Sequence, residues 1–328
     1  MSWLKTSCVV AVVSAISGAS LELMPANGSS EITMPRVIAR AASAQHLGNL
    51  PHSMCAPMVT PAAAFATQSK YASDSAAHDV LDSAAYEQRR GLLGEAQTGV
   101  RIMQALVAAP PTSPSVAYDC AATYVLQWAR AGALTMPETD DANRTLARLT
   151  ADLAVVVLRL DTAGYLDGVD RTTVNLWLTT LATTVRHYFD NDAGPISRQN
   201  NHRYWAALAL AGVGKQTANH DDVAWAVASY AVGVCQVTTD GFLPLELSRR
   251  TQARNYHLYA YEALHAVQQL LPDETARVAI ECREGLQRLA HTVTRVDSGS
   301  LFQSITGVAQ AEMARRPDLV SLLIPTAT

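Results

Sequence analysis

From residue 75 to residue 295 the apolar positions recur every three or four residues, and no stretch alternates as a strand would. That period makes the chain helical almost throughout. Leu92, Leu93, Ala96, Val100, Met103, Leu106 and Val107 mark a first long helix, or two, running from Ser75 to the Pro110-Pro111 break. Further helices are predicted over 115–132, 139–164, 170–188, 200–213, 220–237, 250–271 and 273–295, with a last short one over 304–315. Their connections are short, so neighbours should pair as antiparallel hairpins. Periodicity alone permits two all-α outcomes: an α-solenoid, or hairpins curled into an α/α toroid with a cleft at one end. No fixed-period repeat separates them.

The 328 residues are 49% hydrophobic and 16% charged, which describes a globular chain and excludes a disordered one. A net charge of −4 gives no chain-wide field for nucleic acid. Lysine occurs only at Lys5, Lys70 and Lys215, so positive charge is almost entirely arginine. The N-terminus reads as an export signal over 1–20: Lys5, an apolar run from Cys8 to Ser17 too short to span a bilayer, then Gly18-Ala19-Ser20 for cleavage. The expected product is a periplasmic protein with no membrane attachment after signal removal. Pro25, Pro35, Pro51, Pro57 and Pro61 make 21–68 a leader and loop segment, with the helical domain over 69–328. Cys8 would leave with the signal, and Cys55, Cys120, Cys235 and Cys282 remain. Four thiols in an oxidising compartment allow three pairings. No cysteine or histidine spacing suits zinc, so no metal and no cofactor are expected.

Two segments concentrate reactive side chains. One is Asn200-Asn201-His202-Arg203-Tyr204-Trp205; the other runs from Gly241 through Arg249 and Arg250 to Asn255-Tyr256-His257. An amide, an imidazole, a guanidinium and a phenol suit proton abstraction beside a carboxylate followed by loss of a leaving group. Asn201 and Arg249 can neutralise the carboxylate, and His202 or Tyr256 can move the proton. Arg249 and Tyr256 are seven apart and share a face if helical geometry reaches back to Arg249. Taken singly, each residue also has an ordinary reading: Asn200 or Asn201 as a helix cap, His202 at the surface, Arg249 solvated and Tyr256 in the core.

Taken together, Asn-Asn-His-x-Tyr-Trp at 200–205, Gly-Phe-Leu-Pro-x-Glu-Leu-x-Arg-Arg at 241–250 and Tyr-His-x-Tyr-Ala at 256–260 resemble the family-5 polysaccharide lyases, the alginate (poly-mannuronate) lyases. Ser69-Lys70-Tyr71 with Ser73 to Ala76, and Trp128 to Leu134, are similar to further family motifs. The resemblance implies an α/α toroid that cleaves β-1,4-linked uronate polymers by β-elimination. Asn201 and Arg249 would clamp the carboxylate. Tyr256 would donate a proton to the leaving oxygen and also act as base, and His202 would assist. Lys70 and Tyr71 would belong to a substrate-contacting lid, with Trp205 and Arg250 as further substrate contacts. Cys55 and Cys120 occupy the places of a family disulfide.

The implied partner is an anionic uronate polysaccharide bound by a monomer. Lys70, Arg198, Arg203, Arg249, Arg250 and Arg254 are expected to line the cleft, and Arg249 to favour a Tyr256 phenolate. The rival readings are a glucuronan-type lyase, a non-catalytic polysaccharide-binding protein, and a hydrolase. The last needs two carboxylates facing the cleft, for which Asp240 and Glu246 are the candidates.

Overall fold

Local capping sets where the helices begin. Thr139 Oγ1 accepts the Ala142 amide at 3.1 Å, Asn200 Oδ1 the His202 amide at 3.1 Å, and Asn219 Oδ1 the Asp221 amide at 3.1 Å. A computed structural model describes residues 55–108, 115–313 and 322–323. Packing separates Met1–Ala42 from Ser43–Thr328, and every described residue belongs to the second unit. The expected export signal lies outside the described residues.

The main helices are α1 (Ser83–Ala108), α2 (Val116–Arg130), α3 (Asp140–Thr162), α4 (Gly168–His187), α5 (Asn201–Thr217), α6 (His220–Cys235), a single turn α7 (Pro244–Leu247), α8 (Ala253–Leu270), α9 (Pro272–Glu281), α10 (Gly285–Thr294) and α11 (Ser298–Thr306). Each hairpin places its first member beside the first member of the next: α1 packs on α3, α3 on α5, and α5 on α8. Their partners form an outer layer in which α2 meets α4 and α6 meets α9. The result is an all-α, open α/α toroid whose inner ring is α1, α3, α5 and α8.

Helix α5 is the centre of the packing. From Tyr204 to Gly214 every residue is buried, so no polar face is needed. Small residues let its neighbours close in. A side chain at Gly212 would strike the Ala154 methyl at 2.7 Å, which keeps α3 tight against α5.

Residues 55–68, read as leader, run along the toroid. Tyr124 Oη donates to the Ala56 carbonyl at 2.6 Å and Trp128 Nε1 to the Val59 carbonyl at 3.1 Å. Strands β1 (Ala64–Phe65) and β2 (Met136–Pro137) pair in parallel, a two-residue ladder with no counterpart in the sequence pattern.

Several helix ends differ from the sequence expectation. Ser75 starts a turn instead of α1, because its hydroxyl takes the Asp79 and Val80 amides, and α1 is capped later by Asp82. The helix expected over 250–271 starts at Ala253, since Arg250 adopts φ 48°. The helix expected over 273–295 is broken by left-handed Arg283 and Glu284, at φ 52° and 54°. There Cys282 is bonded to Cys235, and Gly285 lies so close to the Val234 carbonyl that a Cβ would collide with it. The last helix lies at 298–306, not 304–315.

Cys55 and Cys120 are also bonded, tying the start of the packed segment to α2. Peptide mapping without reduction should recover Cys55 with Cys120 and Cys235 with Cys282; free thiols at either pair contradict the structure. Cys120→Ser should lower stability by about 2–5 kcal/mol in denaturant titration.

Candidate functional site

The N-terminal halves of the inner helices gather at one end of the ring. Arg89 comes from α1, Arg144 and Arg148 from α3, Asn201 and His202 from α5, and Tyr256 and Tyr259 from α8. Helix N-termini carry partial positive charge, so this end favours anions before any side chain is counted.

Asn201 is wholly buried, and its Nδ2 and backbone amide both donate to Glu246 Oε1, at 2.9 and 2.8 Å. Arg249 lies between α7 and α8 with 8% of its surface exposed, outside any α-helix. Helical geometry therefore does not carry it to Tyr256. The intervening turn does, setting its guanidinium carbon 4.9 Å from the Tyr256 ring centre. Above them, residues 69–82 fold back as a lid, with the Ala72 amide bonded to the Val80 carbonyl and the Asp82 amide to the Lys70 carbonyl. The lid brings Tyr71 Oη within 2.8 Å of Tyr256 Oη, and Lys70 Nζ 5.2 Å from the Tyr71 ring.

Burial, with the Tyr71 hydroxyl behind it, pushes the Tyr256 pKa well up, and the opposing pull of Arg249 is too small to reverse this. Arg249 favours the phenolate as expected, but burial outweighs it, and Tyr256 rests as a phenol. Burial, then Arg144, Arg249 and Arg89, drive His202 well below its usual 6.5, so its imidazole rests neutral. One member of the site holds a proton to give, and another can take one.

A cavity of about 330 Å³ opens beside His202, lined by Arg89, Arg144 and Arg148 among others. Arg89 pairs with Asp141 and donates to Thr145 Oγ1 at 2.7 Å. Arg148 pairs with Asp152 at 2.9 Å and stacks 3.7 Å over the Trp205 ring. Sequence reading missed these arginines. Their signal was a polar stripe at 141, 144, 145, 148 and 152, on a helix otherwise apolar on most sides.

The arginines expected to line the cleft largely turn elsewhere. Arg198 Nε donates to the Ala193 carbonyl at 2.7 Å. Arg203 bonds Ser229 Oγ at 3.0 Å and stacks on Trp225, and Arg254 donates to the Ala311 carbonyl at 3.1 Å. Arg250 is exposed, and its left-handed backbone at φ 48° places it before the start of α8. Trp205, expected to touch substrate, is 1% exposed: it is the platform under Arg148, 4.8 Å from the Tyr259 ring. The hydrolase pair is absent too. Glu246 is buried against Asn201, and Asp240 lies in a separate recess with Arg288 and His291.

The family model for alginate lyase matches residues 64–295. The alginate lyase of Pseudomonas paraeruginosa strain PA7 is 34% identical over 203 residues, 58% of this chain and 53% of that protein. That of Pseudomonas fluorescens strain Pf-5 is 30% identical over 206 residues, 61% of this chain and 53% of that protein. The chain thus spans about half the length of the curated relatives it matches. Among solved structures, alginate lyase A1-III from Sphingomonas species A1 superposes with a TM-score of 0.60 at 20% identity, covering 81% of this chain and 75% of that one. A variant of alginate lyase A1-III complexed with a tetrasaccharide gives 0.60 at 19% identity, over 78% and 70%.

The loop that carries Glu246 and Arg249 is fastened by His257, which is fully buried. Its Nδ1–H donates to the Ala253 carbonyl at 2.8 Å and its Nε2 accepts the Leu243 amide at 2.9 Å. The bond accepted from Leu243 needs the neutral ring, and burial, outweighing the bond to Ala253 that favours the charged form, pushes its pKa down to about 4 from 6.5. Between those values the unfolded chain binds the proton and the folded one does not. The stabilisation is therefore complete above 6.5 and declines as pH falls toward 4, by up to about 1.4 kcal/mol per pH unit. Thermal unfolding followed from about pH 7.5 to about 4.5 should show this decline, and His257→Gln should flatten it; equal slopes in the two proteins would contradict the assignment.

Proposed function

The chain belongs to the alginate lyase family, and from that membership we propose that it cuts β-1,4-linked uronate polymers, poly-mannuronate first, by β-elimination. The observation that carries the reading is the convergence of an amide and a guanidinium with a neutral imidazole and a protonated phenol, beside an arginine-lined cavity. A proton at C5 of a uronate is hard to remove because the carbanion forms next to a carboxylate. Asn201 keeps one Nδ2–H beyond the one given to Glu246, and Arg249 presents a planar fork. Together they would take up the charge as it spreads into the carboxylate, in the manner of an oxyanion hole.

In β-mannuronate the C5 hydrogen and the C4 oxygen lie on one side of the ring. His202 would accept the C5 proton as the C4–C5 double bond forms. Tyr256 would protonate the C4 oxygen as its bond to C4 breaks. A Tyr256 that also served as base would have to ionise against its burial and the Tyr71 hydroxyl. Arg89, Arg144 and Arg148 would hold neighbouring carboxylates of the polymer.

Mannuronate and glucuronate differ at C2, away from these atoms, so glucuronan is the second substrate to try. The proposal includes action as a monomer in the periplasm, after removal of the export signal. Two disulfides suit that oxidising compartment.

Elimination leaves a C4–C5 double bond conjugated to the carboxylate, which absorbs in the ultraviolet. The protein should raise this absorbance with poly-mannuronate, and Tyr256→Phe should abolish the rise while polymer binding survives. New reducing ends without absorbance would replace the lyase reading with hydrolysis. The acid limb of kcat/KM should lie well below 6.5, since His202 stays neutral through that pH. An acid limb centred at or above 6.5 would remove His202 as the base.

A further inference from the structure

Glu246 is a fully buried carboxylate that the reaction above does not consume. Both Asn201 donors converge on its Oε1, at 2.8 and 2.9 Å. Its Oε2 lies 3.8 Å from Arg249 Nε, and neither of those atoms has a hydrogen-bond partner among the described residues. Asn201 Oδ1 is likewise buried without a partner among them. Burying a carboxylate with one oxygen left unbonded is costly, and a core chosen for stability alone would hold an apolar side chain there. Unmet polar atoms in a buried cluster call for an explanation, and a role outside folding supplies one.

We propose that Glu246 is a positioning residue that sets Asn201 and Arg249 as one carboxylate clamp. A carboxylate only accepts hydrogen bonds, so it fixes which end of the Asn201 amide faces it. With the amide reversed, Oδ1 would oppose Glu246 Oε1. The Asn201 nitrogen is thereby held in place with its second N–H free to donate. On the other side, Glu246 draws the Nε edge of Arg249, leaving the two terminal nitrogens as the edge for the substrate carboxylate. The Tyr256 ring, 4.9 Å from the guanidinium carbon, limits the guanidinium from the other face. One buried group thus sets the angle between two donors that come from different parts of the chain.

The inference rests on the lyase reading, and the test separates the two. Glu246→Gln keeps the shape and removes the charge. It should lower kcat on poly-mannuronate by about 10²–10³, with KM changed by less than about threefold, because the arginine cavity still holds the polymer. The isotope effect of C5-deuterated polymer on kcat should rise, since proton removal becomes slower relative to other steps. A smaller folded fraction would leave that ratio unchanged. Combined with Asn201→Ala, the loss should fall well short of the product of the two single losses, because Glu246 acts through Asn201. Glu246→Asp, which keeps the charge but withdraws it by one methylene, should show a smaller loss with the same rise in isotope effect; it serves as the test if Glu246→Gln does not fold. Wild-type rates, or multiplicative losses with an unchanged isotope effect, would overturn the positioning role alone. A wild-type protein that gives no ultraviolet product overturns the lyase reading and this inference with it.

Discussion

The structure depends on a helix that can be buried on every side. Helix α5 meets α3, α4, α6 and α8 at once, and it can do so because Ala206, Ala207, Ala209, Ala211, Gly212 and Gly214 leave room for their backbones. Its polar residues are confined to its two ends, Lys215 to Thr217 where the chain leaves and Asn201 to Arg203 where it enters, capped by Asn200. Asn201 and His202 therefore emerge where the ring opens, and their positions are those of the most constrained segment in the fold. Any enlargement at Gly212 would move α3, and with it Arg144 and Arg148, relative to His202.

Around that fixed point the charges are arranged by pairing. The chain is negative overall, yet the cavity beside His202 is edged by arginines. Burial works against the charge on Arg148, but Asp152 and Tyr259 outweigh it and hold the guanidinium firmly protonated. Arg89 is steadied by Asp141 and Thr145. Carboxylates and aromatic faces thus fix where each cation sits, so that little reorientation is left for the moment of binding. The same economy of motion applies to Asn201, whose backbone N–H and side-chain amide each donate to Glu246.

Much of this was legible in the sequence, for reasons that also show where legibility ends. The helices followed from apolar period because burial is what writes that period. Asn201, His202, Arg249 and Tyr256 stood out because their neighbours form motifs. Arg89, Arg144 and Arg148 did not, since they are brought to the cavity by the curl of the inner ring, a tertiary fact. Arg198, Arg203 and Arg254 misled for the converse reason: nearness in sequence to Asn201 and Tyr256 did not fix which way their side chains turn, and they bond Ala193, Ser229 and Ala311. The break at Arg283 and Glu284 was hidden because neither residue favours a left-handed backbone. The close approach of Gly285 to Val234 and the bond from Cys282 to Cys235 impose it. Trp205 illustrates a further limit. A motif identifies a residue as part of a site without saying whether it touches the ligand or supports what does.

The hydroxyl of Tyr71 stands 2.8 Å from that of Tyr256, so the closed lid already satisfies the phenol. A ligand that reaches Tyr256 must displace this internal rival and return an equivalent oxygen, or leave a buried hydroxyl unmet. An apolar group cannot make that exchange, whereas a hydroxyl or an ether oxygen can. The lid is therefore a toll on entry as well as a cover, and it screens visitors by what they offer at one atom.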